Sequence, residues 1–90
     1  MRRASKIDAN HAAIVEAYRD LGCMVLSLAA LGKGVPDLLV QRRGQFALVE
    51  VKTAKGKLEP AQEAFRQQWP VRVVRSVEDV FQHVQAMRAA

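Results

Sequence analysis

The chain has 90 residues, half of them hydrophobic and 26% charged, which allows one domain burying roughly 60–65% of its unfolded surface and leaves little room for more. Fourteen Lys and Arg against nine Asp and Glu give a net charge of +5, a balance suited to a polyanionic partner. A single cysteine excludes an internal disulfide and a cysteine-built zinc site, no apolar run reaches the ~18 residues of a membrane span, and Met1–Lys6 lacks a signal-peptide core, so a cytoplasmic protein with no membrane contact is expected.

Residues 1–7, with Arg2, Arg3 and Lys6, read as a basic arm, and residues 8–90 as one domain without repeats or linkers. Asp8 or Asn10 is placed to cap a helix through Leu21, ended by Gly22. Its inward stripe is Ile14, Tyr18 and Leu21, joined by His11 one turn back, while Glu16 falls on the solvated flank. Cys23–Leu28 predicts a first strand whose thiol is a buried structural group rather than a nucleophile. Ala29–Gly34 then makes a glycine-bearing connection. Gly32-Lys33-Gly34 lacks the frames of nucleotide-binding loops, so no nucleotide cofactor is expected, and its glycines suit a tight turn or the close approach of a nucleic-acid backbone.

Gly34–Val40 and Phe46–Lys52 predict two short apolar strands joined by the polar turn Gln41–Gln45. Asp37 opens the first of them, directly after Pro36, which favours extended backbone before it. On the second, Glu50 and Lys52 are two apart and share a face with Phe46 and Leu48, while Ala47, Val49 and Val51 take the other. Apolar residues on both faces predict a central strand. A hairpin about Gly44 would bring Asp37 near Glu50. Two carboxylates so placed repel unless a divalent cation lies between them, and ionised groups among Val and Leu are costly to bury unpaired. The pattern points to a metal site with an attendant lysine.

Thr53–Leu58 forms a basic loop, and Pro60 opens a helix through Trp69 with Ala61, Ala64, Phe65 and Trp69 inward. Val71–Arg75 predicts a fourth strand with Arg72 exposed. Ser76 opens the last helix with Asp79 three residues on, as in a capping box. Val77, Val80, Phe81 and Val84 form its apolar stripe, and His83, off that stripe, reads as a surface residue. The predicted class is α/β, order α-β-β-β-α-β-α, with a four-stranded mixed sheet flanked by helices.

Pro36-Asp37 followed by Glu50-x-Lys52 on the next strand is similar to the PD-(D/E)XK nuclease signature. The longer string, Gly34-x-Pro36-Asp37-Leu38, Glu50-x-Lys52 and Lys57-Leu58-x-x-x-Gln62, resembles the virus-type replication-repair nuclease (VRR-NUC) branch, over about Asp8 to Val80. A Glu-x-Lys alone arises by chance roughly one time in three in a chain of this length, but with Pro-Asp at the required distance upstream roughly one time in a hundred. The resemblance implies the small restriction-endonuclease-like core and a site in which Asp37, Glu50 and the backbone carbonyl of Val51 hold Mg²⁺ or Mn²⁺. Lys52 would orient a water or stabilise charge on the phosphate, and Gln62 would hold the end of the site. Many such nucleases carry a metal-assisting glutamate at the start of the first helix. Here Asn10 or His11 stands in that place, a departure that makes His11 a further candidate for the metal.

Candidate phosphate contacts are Lys33, Arg42, Arg43, Lys55 and Lys57. The expected function is a metal-dependent, structure-selective DNA endonuclease, Holliday-junction-resolvase-like as a homodimer on branched or flapped DNA. Alternatives are a flap or single-strand nickase, a non-catalytic DNA-binding module with a nuclease fold, and a structural protein in which the charges form only a salt-bridge cluster.

Overall fold

The computed structural model describes residues 10–89; the basic arm expected at 1–7 and the capping candidate Asp8 lie outside the described residues. Its centre is the hairpin of β2 (Leu38–Arg42) and β3 (Gln45–Val51). The two turn residues, Arg43 and Gly44, both have positive φ, 53° and 84°. A two-residue turn of this hand matches the right-handed twist of paired strands. The Gly44 N–H donates to Gln41 Oε1 at 2.8 Å and closes it. With the turn settled, the register follows from Arg42 opposite Gln45 to Leu38 opposite Val49.

β1 (Met24–Ser27) adds antiparallel to β2, and β4 (Val71–Val74) adds parallel to β3, giving the order β1-β2-β3-β4. With α1 (His11–Asp20), α2 (Pro60–Gln68) and α3 (Val77–Ala89), the chain runs α-β-β-β-α-β-α as expected, with a 3₁₀ turn at Ala29–Leu31 between β1 and β2. β3 is central, as its two apolar faces require.

One face of the sheet builds the core: Leu38, Val40, Val49, Val51 and Val74 pack on Ile14, Ala17 and Tyr18 of α1 and on Val80 and Val84 of α3. Two expectations about helix faces fail. No residue of α2 is buried, so Ala61, Ala64 and Phe65 are not the inward stripe the spacing predicted. Trp69, just past the helix, is 53% exposed. Phe65 and Trp69 instead stack on each other with ring centroids 5.8 Å apart. α2 is held at its first turn, where Gly34 lies against the Ala61 backbone so closely that a Cβ there would overlap the Ala61 carbonyl oxygen. Gly34 also has φ of 82°, which other residues rarely adopt.

On α3, Val77 and Phe81 are exposed, whereas His83 is buried. The cause lies on α1. Tyr18 is fully buried, and its hydroxyl needs a partner away from water. It meets His83 Nδ1 at 2.7 Å, and the phenol, the stronger acid of two neutral groups, donates. Burial, reinforced by the charge of Arg72, lowers the His83 pKa to about 4, and burial raises that of Tyr18. The pair is neutral.

Candidate active site

Because Leu38 pairs with Val49, the next step along the hairpin sets Asp37 level with Glu50. Asp37 stands one residue before β2 rather than opening it. Its carbonyl accepts the Leu28 N–H at 2.7 Å, and its carboxylate Oδ2 accepts the Val51 N–H at 2.8 Å. A side chain thus continues the ladder where the strand has ended. Asp37 Oδ1 makes no hydrogen bond or ion pair with the described residues.

Glu50 is 3% exposed. A carboxylate this buried must be compensated, and Gln62 and Lys52 are among the groups that do so. Gln62 Nε2 donates to Glu50 Oε2 at 2.9 Å, and Lys52 Nζ lies 4.0 Å from the same oxygen. Gln62 reaches it because Pro60 starts α2 and Gln62 falls in the first turn, where Gln62 Oε1 accepts the Glu59 N–H at 2.8 Å. With its oxygen engaged on the backbone, the amide has only its NH₂ to present to Glu50. Gly34 completes the arrangement, since the contact with Ala61 seats the Gly34–Asp37 segment against the same helical turn.

Lys52 follows on the same face as Glu50, one residue past the end of β3. Its N–H donates to Val74 O at 3.0 Å. Its carbonyl accepts Asn10 Nδ2 at 3.2 Å, and the same amide nitrogen reaches Arg75 O at 2.9 Å. Asn10 therefore does not cap α1 through its side chain, as expected of it, but ties the start of α1 to the ends of β3 and β4. The loop beyond Lys52 is clamped by Arg75, whose Nη1 donates to the carbonyls of Thr53 at 2.8 Å and Gly56 at 2.6 Å. The Arg75 N–H is in turn held by Asp79 Oδ2 at 2.8 Å. Neither the Asn10 tie nor the Arg75 clamp has a local sequence signal, because both bind main-chain carbonyls far away in the chain.

Among the described residues no three of His, Cys, Asp and Glu come together, so His11 does not join Asp37 and Glu50. The residue that meets the site from α1 is Asn10, and its NH₂ is occupied by two backbone carbonyls. Lys33, Lys55 and Lys57 are exposed on the loops that border the carboxylates. Arg42 and Arg43 lie at the other end of the hairpin, away from the carboxylates, so contact with the same phosphate is excluded for them.

The donors fit a hard divalent cation. Magnesium is typically held by one or two carboxylates, completing its shell with water and substrate oxygens. Asp37, Glu50 and the Val51 carbonyl are of that type, and Asp37 Oδ1 has no competing protein partner among the described residues. Lysine beside such carboxylates offers a positive donor to a phosphate.

No curated protein and no solved structure matches the chain. The family model of the VRR-NUC domain does, over residues 7–77. That span contains Asp37, Glu50, Lys52 and Gln62 in the order and spacing of the signature, on a four-stranded mixed sheet of the expected topology. The chain belongs to the VRR-NUC family and is a nuclease of the PD-(D/E)XK type, a hydrolase acting on DNA.

Proposed function

We propose that residues 8–90 form a single catalytic domain of a metal-dependent, structure-selective DNA endonuclease that cuts branched DNA as a homodimer, in the manner of a Holliday-junction resolvase. The observation that supports it most directly is the pairing of a buried Glu50 with Gln62 and Lys52, level with an Asp37 anchored to the next strand. Asp37, Glu50 and the Val51 carbonyl are the oxygens that would hold Mg²⁺ or Mn²⁺. When bound, such an ion polarises a phosphodiester and acidifies water. The Val51 N–H keeps the Asp37 carboxylate in place, and Gln62 keeps that of Glu50. The Lys52 ammonium donates to the attacking water or to the phosphate oxygen on which charge grows. Lys33, Lys55 and Lys57 neutralise neighbouring phosphates, which fixes the strand without reading its sequence. A domain this small offers little further surface for base readout, which favours recognition of DNA shape.

Dimerisation is supported by the sheet face that α2 leaves uncovered. Met24, Leu26, Phe46 and Trp69 are 70, 58, 68 and 53% exposed. The strand pairing sets Met24 and Leu26 on the same face as Leu39, Phe46 and Leu48. A cleft of about 420 Å³ there is lined by Leu39, Phe46, Leu48, Trp69 and Val71 among others. Phe46 and Trp69, about half to two-thirds exposed, still offer on the order of 100 Å² each, and with the aliphatic residues beside them they supply a large part of the roughly 800 Å² per partner that a stable interface buries. A second copy related by a twofold axis covers this face and brings two sites onto one substrate.

The test is incubation with a four-way junction, a 5′ flap, duplex and single-stranded DNA, with and without Mg²⁺ or Mn²⁺, alongside light scattering. Metal-dependent cutting of the junction by a dimer is expected. Cutting of flaps or single strands alone by a monomer would favour the nickase reading, and tight binding without cutting in either metal would reduce the chain to a binding module.

A further inference from the structure

At the hairpin end away from Asp37 and Glu50, a cleft of about 310 Å³ is lined by Arg42, Arg43, Gln45, Met87 and Arg88. Three guanidiniums share it. The ion pairs found among the described residues are Lys52 with Glu50 and Arg66 with Glu63, so none of the three arginines has a carboxylate partner there. Like charges gathered in one cleft repel, and an anion between them removes that cost. Two further features indicate a built site. Arg42 is half-buried and its Nε donates to Leu21 O at 3.1 Å, which fixes the guanidinium plane and leaves its other N–H donors to the cleft. Arg43 holds a positive φ of 53° in a tight turn that favours Asn, Asp or Gly at that place. The turn does not call for arginine. Gln45, opposite Arg42 in the ladder, adds an amide.

We propose that the Arg42, Arg43 and Arg88 cleft is a second phosphate-binding site, occupied by a stretch of nucleic-acid backbone other than the one at the carboxylates. The planar, multiply donating guanidinium suits phosphate oxygens, and three of them around one cleft exceed what a single surface contact needs. Asp37 and Arg42 are five positions apart along an extended strand, about 17 Å at ~3.3 Å per residue, or on the order of five base pairs along a duplex axis. Arg42 also shares its face with Leu38 and Val40, on the side of α1 and α3, whereas Glu50 lies on the side of α2. A straight duplex seated at the carboxylates does not reach around the hairpin end to this cleft. A second arm of a branched substrate does. The assignment rests on the nuclease reading for the identity of the polyanion; the phosphate chemistry of the cleft does not.

The experiment uses the full chain carrying Asp37→Asn, so that substrate is not consumed, with and without Arg43→Ala and Arg88→Ala together; Arg42 is left in place because it also holds Leu21. Affinity for a four-way junction and for a short duplex is measured over a range of salt. The chain with both arginines replaced is expected to bind the junction roughly tenfold more weakly, with a salt slope shallower by about one to two, and the short duplex nearly as before. Arg43→Lys with Arg88→Lys is expected to restore the salt slope but only part of the affinity, since the charge returns without the fork. Pyrophosphate titrated into labelled protein is expected to shift the Arg42 Nε–Hε resonance. Unchanged junction affinity in the Ala variant overturns the assignment, whatever the wild-type chain does to the same junction with Mg²⁺. A shifted resonance with unchanged junction affinity assigns the cleft to a free phosphate compound and overturns the nucleic-acid reading. Weakened junction binding by a chain that never cleaves in any metal upholds the cleft and sinks the nuclease reading instead.

Discussion

Gln62 illustrates how one amide can order a site. Its oxygen is taken by the Glu59 N–H and its nitrogen by Glu50, so the same side chain starts a helix and orients a buried carboxylate. Gln62→Leu is expected to cost about 1–3 kcal/mol, from the hydrogen bond lost at a buried charge, and to slow cleavage more than it weakens DNA binding. Asp37→Ala is the sharper test. It removes a carboxylate from the proposed cation site and leaves the Val51 N–H without its partner. Cleavage is expected to fall by about a thousandfold or more, while affinity for DNA stays the same or rises slightly because a negative charge near the polyanion is gone. A single-turnover assay beside a binding titration separates the two effects, and substantial cleavage by the variant would remove Asp37 from the reaction.

At the scale of elements, the site depends on packing that carries little apolar area. α2 has no buried residue, and it is the fit of Gly34 against Ala61 and the bond from Gln62 that seat it. Gly34→Ala demands both a positive φ and room that the Ala61 carbonyl occupies, so it is expected to destabilise the fold by about 1–3 kcal/mol and to impair cleavage through α2. Loss of activity with an unchanged melting temperature would place the defect in the site alone. The loop after Lys52 depends likewise on Arg75, whose guanidinium gathers carbonyls of Thr53 and Gly56. Arg75→Ala is expected to speed amide exchange across residues 53–58 by about tenfold or more, with slower exchange elsewhere retained.

For the whole molecule, the core between the sheet, α1 and α3 contains a buried polar pair, Tyr18 with His83, and it makes stability depend on pH. The folded His83 pKa is lowered from 6.5 to about 4. Above pH 6.5 the imidazole is neutral folded or unfolded and adds no slope. As pH falls from 6.5 toward 4 the unfolded chain takes up the proton first, so stability is lost across that window, by up to about 3 kcal/mol. Urea unfolding at several pH values checks this, with His83→Gln expected to flatten the curve between pH 6.5 and 4; an equal slope in that variant would assign the acid sensitivity to other groups. The proposed association would add a second global dependence. Phe46→Glu, on the uncovered face, is expected to leave the monomer fold intact and to lower the molar mass seen by light scattering.

How much of this was legible in the chain follows from the range of the interactions involved. The order of elements, the hairpin about Gly44, the central β3, the approach of Asp37 to Glu50 and the shared face of Glu50 and Lys52 come from a two-residue side-chain period and a short turn, which are local and survive in any tertiary setting. Gln62 near Lys52 follows from one helix start. His83, Trp69, Asn10 and Arg75 were not legible in this way. Tyr18 and His83 are 65 positions apart, as are Asn10 and the Arg75 carbonyl, and only the packing of α1 against α3 and β4 decides that the first pair is buried and the second bonded. A helical stripe states which side chains share a face, but whether that face meets a neighbour or solvent is settled by the whole sheet. That is why α2, amphipathic by spacing, lies nearly uncovered while a histidine off the apolar stripe of α3 sits in the core.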